Sequence, residues 1–140
     1  MKAPMTKINH IGIVVKDIDA SIELYRKLLG IDPLPKEFVA SENVTVAMFP
    51  VGESRIELVM SHDPESGVSK FIEKRGEGIH HICLETPDID GQLSRLKGQG
   101  AKLINEQKIS GAHDTWAAFV HPKSAGGVLV ELAQPKGTGR

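Results

Sequence analysis

A chain of 140 residues, 40% of them apolar and 25% charged, suits one compact domain with a real core and has an ordinary globular balance. The net charge of -1 gives no electrostatic footprint for nucleic acid or an anionic membrane, and 4% aromatics are too few for base-stacking platforms. No apolar run approaches the roughly 18 residues of a membrane span. The N-terminal MKAPMTKINH shows neither an export core nor a transit pattern, and Cys83, the lone cysteine, permits no internal disulfide; both fit a reducing compartment, most simply the cytoplasm.

The predicted elements begin with an Ile- and Val-rich strand in INHIGIVVKDID, Ile8 to Asp19, followed by a helix. Strand-like runs follow at roughly Val44–Val51 and Arg55–Met60, with Gly52 as the turn between them. A helix-like segment, SKFIEKRGEG, spans Ser69 to Gly78. IHHICLETPDID, Ile79 to Asp90, then repeats the opening pattern. A second helix follows, then runs at roughly Thr115–Val120 and Val128–Ala133, separated by HPKSAGG. The tail PKGTGR is expected to fray.

The two copies lie 71 residues apart, as His10 and His81 show. Asp17-Ile18-Asp19 answers to Asp88-Ile89-Asp90. Ile18, Ile22 and Tyr25 answer to Ile89, Leu93 and Leu96, each trio on one helix face. Each helix follows an Asp able to cap it and ends near a glycine, Gly30 or Gly100. The chain therefore reads as a duplicated βαβββ module in the α+β class. One domain over residues 1–140 is expected, with module 1 at about 6–68 and module 2 at about 77–135, and the two half-sheets can close around a shared cleft.

Alternation puts Ile8, His10, Gly12 and Val14 on one strand face, and Ile79, His81 and Cys83 on its equivalent. RIELVM sets Glu57 between Ile56 and Leu58, and VLVELA sets Glu131 between Val130 and Leu132. Each copy thus contributes one histidine and one glutamate at matched strand positions. A carboxylate inside an apolar sheet is costly unless it is paired or bound to a metal. His10, Glu57, His81 and Glu131 converging by pseudo-twofold symmetry would make a divalent metal site, and their N/O donors suit Co²⁺, Mn²⁺, Zn²⁺, Ni²⁺ or Fe²⁺. Taken singly, a strand histidine is more often packed or exposed, and a strand Glu more often sits on the solvated face. Symmetry is what lifts the four together. His80 has the opposite strand parity and is read as a packing or supporting residue. His62, His113 and His121 fall in loops or at strand ends, and Cys83 is read as a small core residue.

The paired His-bearing modules resemble the vicinal oxygen chelate superfamily. Within it the chain is similar, over almost its whole length, to the methylmalonyl-CoA epimerase family, through NHIGIVVKDIDASIELYRKLLG, KFIEKRGEGIHHIC and FVHPKSAGGVLVEL. The resemblance implies a metal-dependent isomerase interconverting (2R)- and (2S)-methylmalonyl-CoA through a metal-stabilised enolate. It places metal ligands on His10, His81 and Glu131, with Gln or Glu at the position of Glu57. It also implies Co²⁺ as the favoured ion, a proton carrier in Glu131 and a homodimer.

Some family members carry a glutamate base where NVTVAMF places Val46, and valine cannot take a proton. Glu42, His113 and a water on the metal are the candidates for the second proton carrier. HPKSAGG could bind a phosphate or carboxylate through Lys123, Ser124 and backbone N–H groups, or be a plain hairpin turn; it lacks P-loop spacing. The nearest alternative activity is that of glyoxalase I, a lactoylglutathione lyase, whose metal ligands are of the same kind. An Fe²⁺ extradiol dioxygenase needs only two histidines and one carboxylate. A binding protein of the same fold needs no metal.

Overall fold

The computed structural model describes residues 4–137. The elements run β1 (Lys7–Val14), α1 (Ile18–Leu29), β2 (Glu37–Val39), β3 (Val44–Val51), β4 (Ser54–Ser61), α2 (Gly67–Arg75), β5 (Gly78–Glu85), α3 (Ile89–Gly98), β6 (Ile109–Gly111), β7 (Thr115–Val120) and β8 (Leu129–Pro135). Two βαβββ modules in tandem are therefore present. Two compact units emerge, His10–His80 and Met1–Asn9 with His81–Arg140. The chain passes between them inside β1 and inside β5.

In the His10–His80 unit the strands follow the order β2-β3-β4-β1. β3 pairs antiparallel with β2 and β4, and β4 pairs parallel with β1. Asp17, in extended backbone, accepts a hydrogen bond from Ala20 N at 3.2 Å and so starts α1. Gly30 ends α1 in the left-handed region at φ 74°. α1 turns Ile18 and Ile22 onto Ala47, Phe49 and Leu58, with Tyr25 packed alongside. The opposite sheet face carries Val14, Val46, Met48 and Val59, all buried.

In the other unit the order is β5-β8-β7-β6, with β5 and β8 parallel and β8-β7-β6 antiparallel. Asp88 caps α3 by accepting from Gly91 N at 3.0 Å. Ile89 and Leu93 pack on Ala118, Val120 and Leu132, with Leu96 beside them. The two helices thus turn inward the trios that their spacing predicts, with Tyr25 and Leu96 partly buried at the margin of each cluster.

The departures from expectation are local. β2 and β6 are three-residue strands that no expected run covers. α2 starts two residues before Ser69, because Ser66 Oγ accepts from Ser69 N at 3.1 Å, and it stops before Gly76. β4 is one residue longer at each end than expected, and β8 runs on to Pro135, which pairs with Thr115. Lys136 Nζ donates to Ser110 Oγ at 2.8 Å and lies 4.4 Å over the Trp116 ring, so the expected fraying does not extend to these two residues. The final three residues of the tail lie outside the described residues.

Candidate metal centre

In the first unit, β1 and β4 run side by side with His10 level with Arg55 and Gly12 level with Glu57. Glycine at position 12 leaves no side chain between the diagonal neighbours. His10 Nε2 reaches across to Glu57 Oε1 at 3.2 Å, and both side chains are nearly inaccessible. The surrounding face is apolar, with Val14, Val46, Met48 and Val59 each at most 5% exposed. Met48 is the direct cross-strand neighbour of Glu57.

The other unit repeats the arrangement. His81 is level with Leu129, and Cys83 is level with Glu131. His81 Nε2 lies 3.1 Å from Glu131 Oε1, and this pair is equally buried. Phe119, the cross-strand neighbour of Glu131, meets the His81 ring edge to face at 5.8 Å. The strand offset, the atoms and the separation agree between the two units. Duplication has therefore copied a geometry as well as a residue type.

Each pair fits a borderline divalent ion. Two donor atoms about 2.1 Å from one ion and at right angles to each other lie about 3.0 Å apart. The observed 3.2 and 3.1 Å are close to that figure. An imidazole nitrogen and a carboxylate oxygen form the donor type that such ions accept. Burying two carboxylates is costly unless cations or donors compensate them.

The remaining candidates occupy other positions. His80 meets Phe71 edge to face at 5.1 Å. His62 Nε2 is 2.6 Å from Thr45 Oγ1, and its ring packs on Phe38. His121 Nδ1 accepts from Lys123 N at 3.0 Å, stabilising the tight turn at Pro122–Ser124. Ser124 Oγ accepts from Lys102 N at 2.7 Å, so this hydroxyl already holds two loops together, and Lys123 is exposed. Cys83 is fully buried. Val46 is 2% exposed, with Glu37 and Val59 as its cross-strand neighbours. Glu42 lies half-buried in the β2–β3 turn. His113 lies half-buried in the β6–β7 turn, where it and Asp114 adopt φ of 53° and 57°. One neighbouring contact escapes sequence reasoning. Asn9 Nδ2 donates to Glu85 Oε1 at 2.8 Å, and the only hint is that Glu85 shares strand parity with His81.

The profile of the Glyoxalase/Bleomycin resistance protein/Dioxygenase superfamily matches residues 9–119. Ethylmalonyl-CoA/methylmalonyl-CoA epimerase of Cereibacter sphaeroides is 38% identical over 131 residues, covering 91% of this chain and 97% of that protein. Among solved structures, methylmalonyl-CoA epimerase from Mycobacterium tuberculosis superposes with a TM-score of 0.90 at 35% identity, covering 96% of this chain and 93% of that one. Streptomyces coelicolor methylmalonyl-CoA epimerase in complex with 2-nitronate-propionyl-CoA also gives 0.90, at 32% identity, with 94% and 96% covered. With the duplicated modules and their matched His–Glu pairs, these likenesses show that the chain belongs to the glyoxalase/bleomycin resistance protein/dioxygenase superfamily and has the vicinal oxygen chelate fold.

Proposed function

We propose that the protein is a metal-dependent epimerase that interconverts (2R)- and (2S)-methylmalonyl-CoA by removing and returning the proton at C2. The observation that carries this reading is the pair of matched, buried His–Glu contacts. Its support is the likeness to proteins named for this activity. His10, Glu57, His81 and Glu131 would together hold one divalent ion, Co²⁺ first and Mn²⁺, Zn²⁺ or Ni²⁺ as alternatives. When bound, that ion supplies Lewis acidity for the negative charge that develops on the thioester oxygen.

The chain's own residues do the rest. The C2 proton lies between a thioester and a carboxylate, so its removal leaves a planar enolate that accepts a proton from either side. Glu131 takes or returns the proton on one side, from a carboxylate oxygen beside His81 Nε2. The apolar residues beside Glu57, with Val46 and Met48 2% exposed, keep water from quenching the charge. The second proton carrier is not Val46, whose side chain has no basic atom. Glu42 and His113 are the titratable candidates among the turns.

We further place the protein in the cytoplasm as a homodimer acting as a single domain. A lone buried cysteine and the family resemblance support this reading. The test of function is proton NMR of methylmalonyl-CoA in D₂O with the Co²⁺-loaded protein and a chelator-treated control. Metal-dependent loss of the C2 proton signal is expected. Exchange no faster than the control would reject the reading, and the glutathione hemithioacetal of methylglyoxal would then test the lyase alternative.

A further inference from the structure

The two copies agree at the histidine and the glutamate, so a position where they disagree can orient an asymmetric substrate. Beside His81, the neighbouring strand carries Leu129; at the same register position beside His10, it carries Arg55. Arg55 precedes Glu57 by two residues on β4, and strand alternation puts both on one sheet face. Around the pair that face carries the buried Val14, Val46, Met48 and Val59, with Glu37 level with Val46 on the outer strand. The Arg55 residue is half-buried, and its side chain makes no hydrogen bond or ion pair among the described residues. In the same unit, Arg26 is by contrast engaged by both Glu23 and Asp32. Neighbouring strands lie about 4.8 Å apart. A side chain as long as arginine's, rooted beside His10, therefore reaches a small group held at the His10–Glu57 pair.

A guanidinium that is partly removed from water needs an acceptor, and its planar fork matches an oxyanion bidentately. We infer that Arg55 is the anion-binding residue that receives a negatively charged group of the substrate and fixes which way round it enters. This rests on the epimerase reading, in which the substrate carries a carboxylate on the reacting carbon and phosphates at its far end. Both are oxyanions, and Arg55 binds one of them.

The test compares wild type, Arg55→Met and Arg55→Lys in three measurements. The first is metal content after loading with Co²⁺, which all three proteins should retain in full. The second is calorimetric binding of methylmalonyl-CoA, which should weaken about 10- to 100-fold in Arg55→Met, the range for a lost hydrogen bond to a charged group. Arg55→Lys should fall between the two, because it keeps the charge and loses the fork. The third uses a truncated methylmalonyl thioester without the phosphates. A loss that persists on the truncated thioester assigns the carboxylate to Arg55. A loss seen only with the full substrate assigns a phosphate. Unchanged affinity for the full substrate in Arg55→Met, with metal content intact, would overturn the inference. The function reading fails separately, through absence of C2 exchange in wild type, which leaves the binding comparison valid. Should Arg55→Met misfold by circular dichroism, Arg55→Lys decides: affinity equal to wild type overturns the fork, and a several-fold loss supports it.

Discussion

His81 Nε2 and Glu131 Oε1 sit 3.1 Å apart in a nearly inaccessible pocket, the spacing of two donors on one ion. His80, one residue earlier, instead packs its ring against Phe71. Adjacent histidines on one strand therefore make different contacts, which gives a sharp comparison. His81→Ala should lose bound Co²⁺ and C2 exchange together, with metal measured by mass spectrometry of the desalted protein. His80→Ala should keep a full equivalent of metal. Full metal and activity in His81→Ala would refute the assignment.

Metal removal should also register in stability. A ligand that binds only the folded state adds about 2.7 kcal/mol when present at about 100 times its Kd. Burial of the Glu57 and Glu131 carboxylates, both at most 8% exposed in their side chains, makes the metal-free protein the one that bears their desolvation cost. Adding Co²⁺ to chelated protein should therefore raise the melting temperature by several degrees in a concentration-dependent way. Glu131→Ala should abolish that rise. A metal-independent melting curve for wild type would count against a site of this kind.

The two buried His–Glu contacts were legible because duplication lets one half of the chain check the other. His10 and His81 stood out from ordinary strand histidines by their constant offset, and Glu57 and Glu131 by matched flanking residues. The helix trios were legible for the same reason, since Ile18 and Ile22 pack as Ile89 and Leu93 do. Where repetition gave no check, the reading weakened. β2 and β6 are three residues each, too short for a period-2 signal. The start of α2 turned on a side-chain bond from Ser69 N to Ser66 Oγ, and a helix pattern alone does not locate such a cap. Arg55 is not legible in this way, because its counterpart at the same register position is Leu129.

Phe49 provides a stability prediction separate from the site. It is fully buried in the cluster with Ile18, Ile22 and Leu58, with the Tyr25 ring 6.3 Å away. It faces α1, whereas Met48 beside it lies on the Glu57 face. Phe49→Ala should cost about 3–5 kcal/mol through lost burial and the cavity left behind. Urea unfolding would measure this as a lower midpoint with the slope unchanged. At temperatures where the variant stays folded, its Co²⁺ content should match wild type. Loss of metal from a protein that remains folded would mean that this core also sets the site.

The two glutamates offer a test of whether symmetric geometry carries symmetric roles. Glu57 and Glu131 reach their histidines at 3.2 and 3.1 Å with equal burial, so geometry alone predicts equal consequences. The family resemblance predicts otherwise, since Gln replaces Glu at the position of Glu57 in some members. Glutamine keeps a carbonyl oxygen that can bind a divalent ion, but it has no carboxylate to carry a proton. Glu57→Gln should therefore retain bound Co²⁺ and exchange within about tenfold of wild type, while Glu131→Gln should lose about 10²- to 10⁴-fold in C2 exchange, the usual worth of a positioned acid–base group. Isotope exchange and metal content measured on both variants separate the roles. A Glu57→Gln variant as impaired as Glu131→Gln, with both still holding metal, would make the two carboxylates the paired proton carriers. Glu57 would then be the second carrier sought among Glu42 and His113.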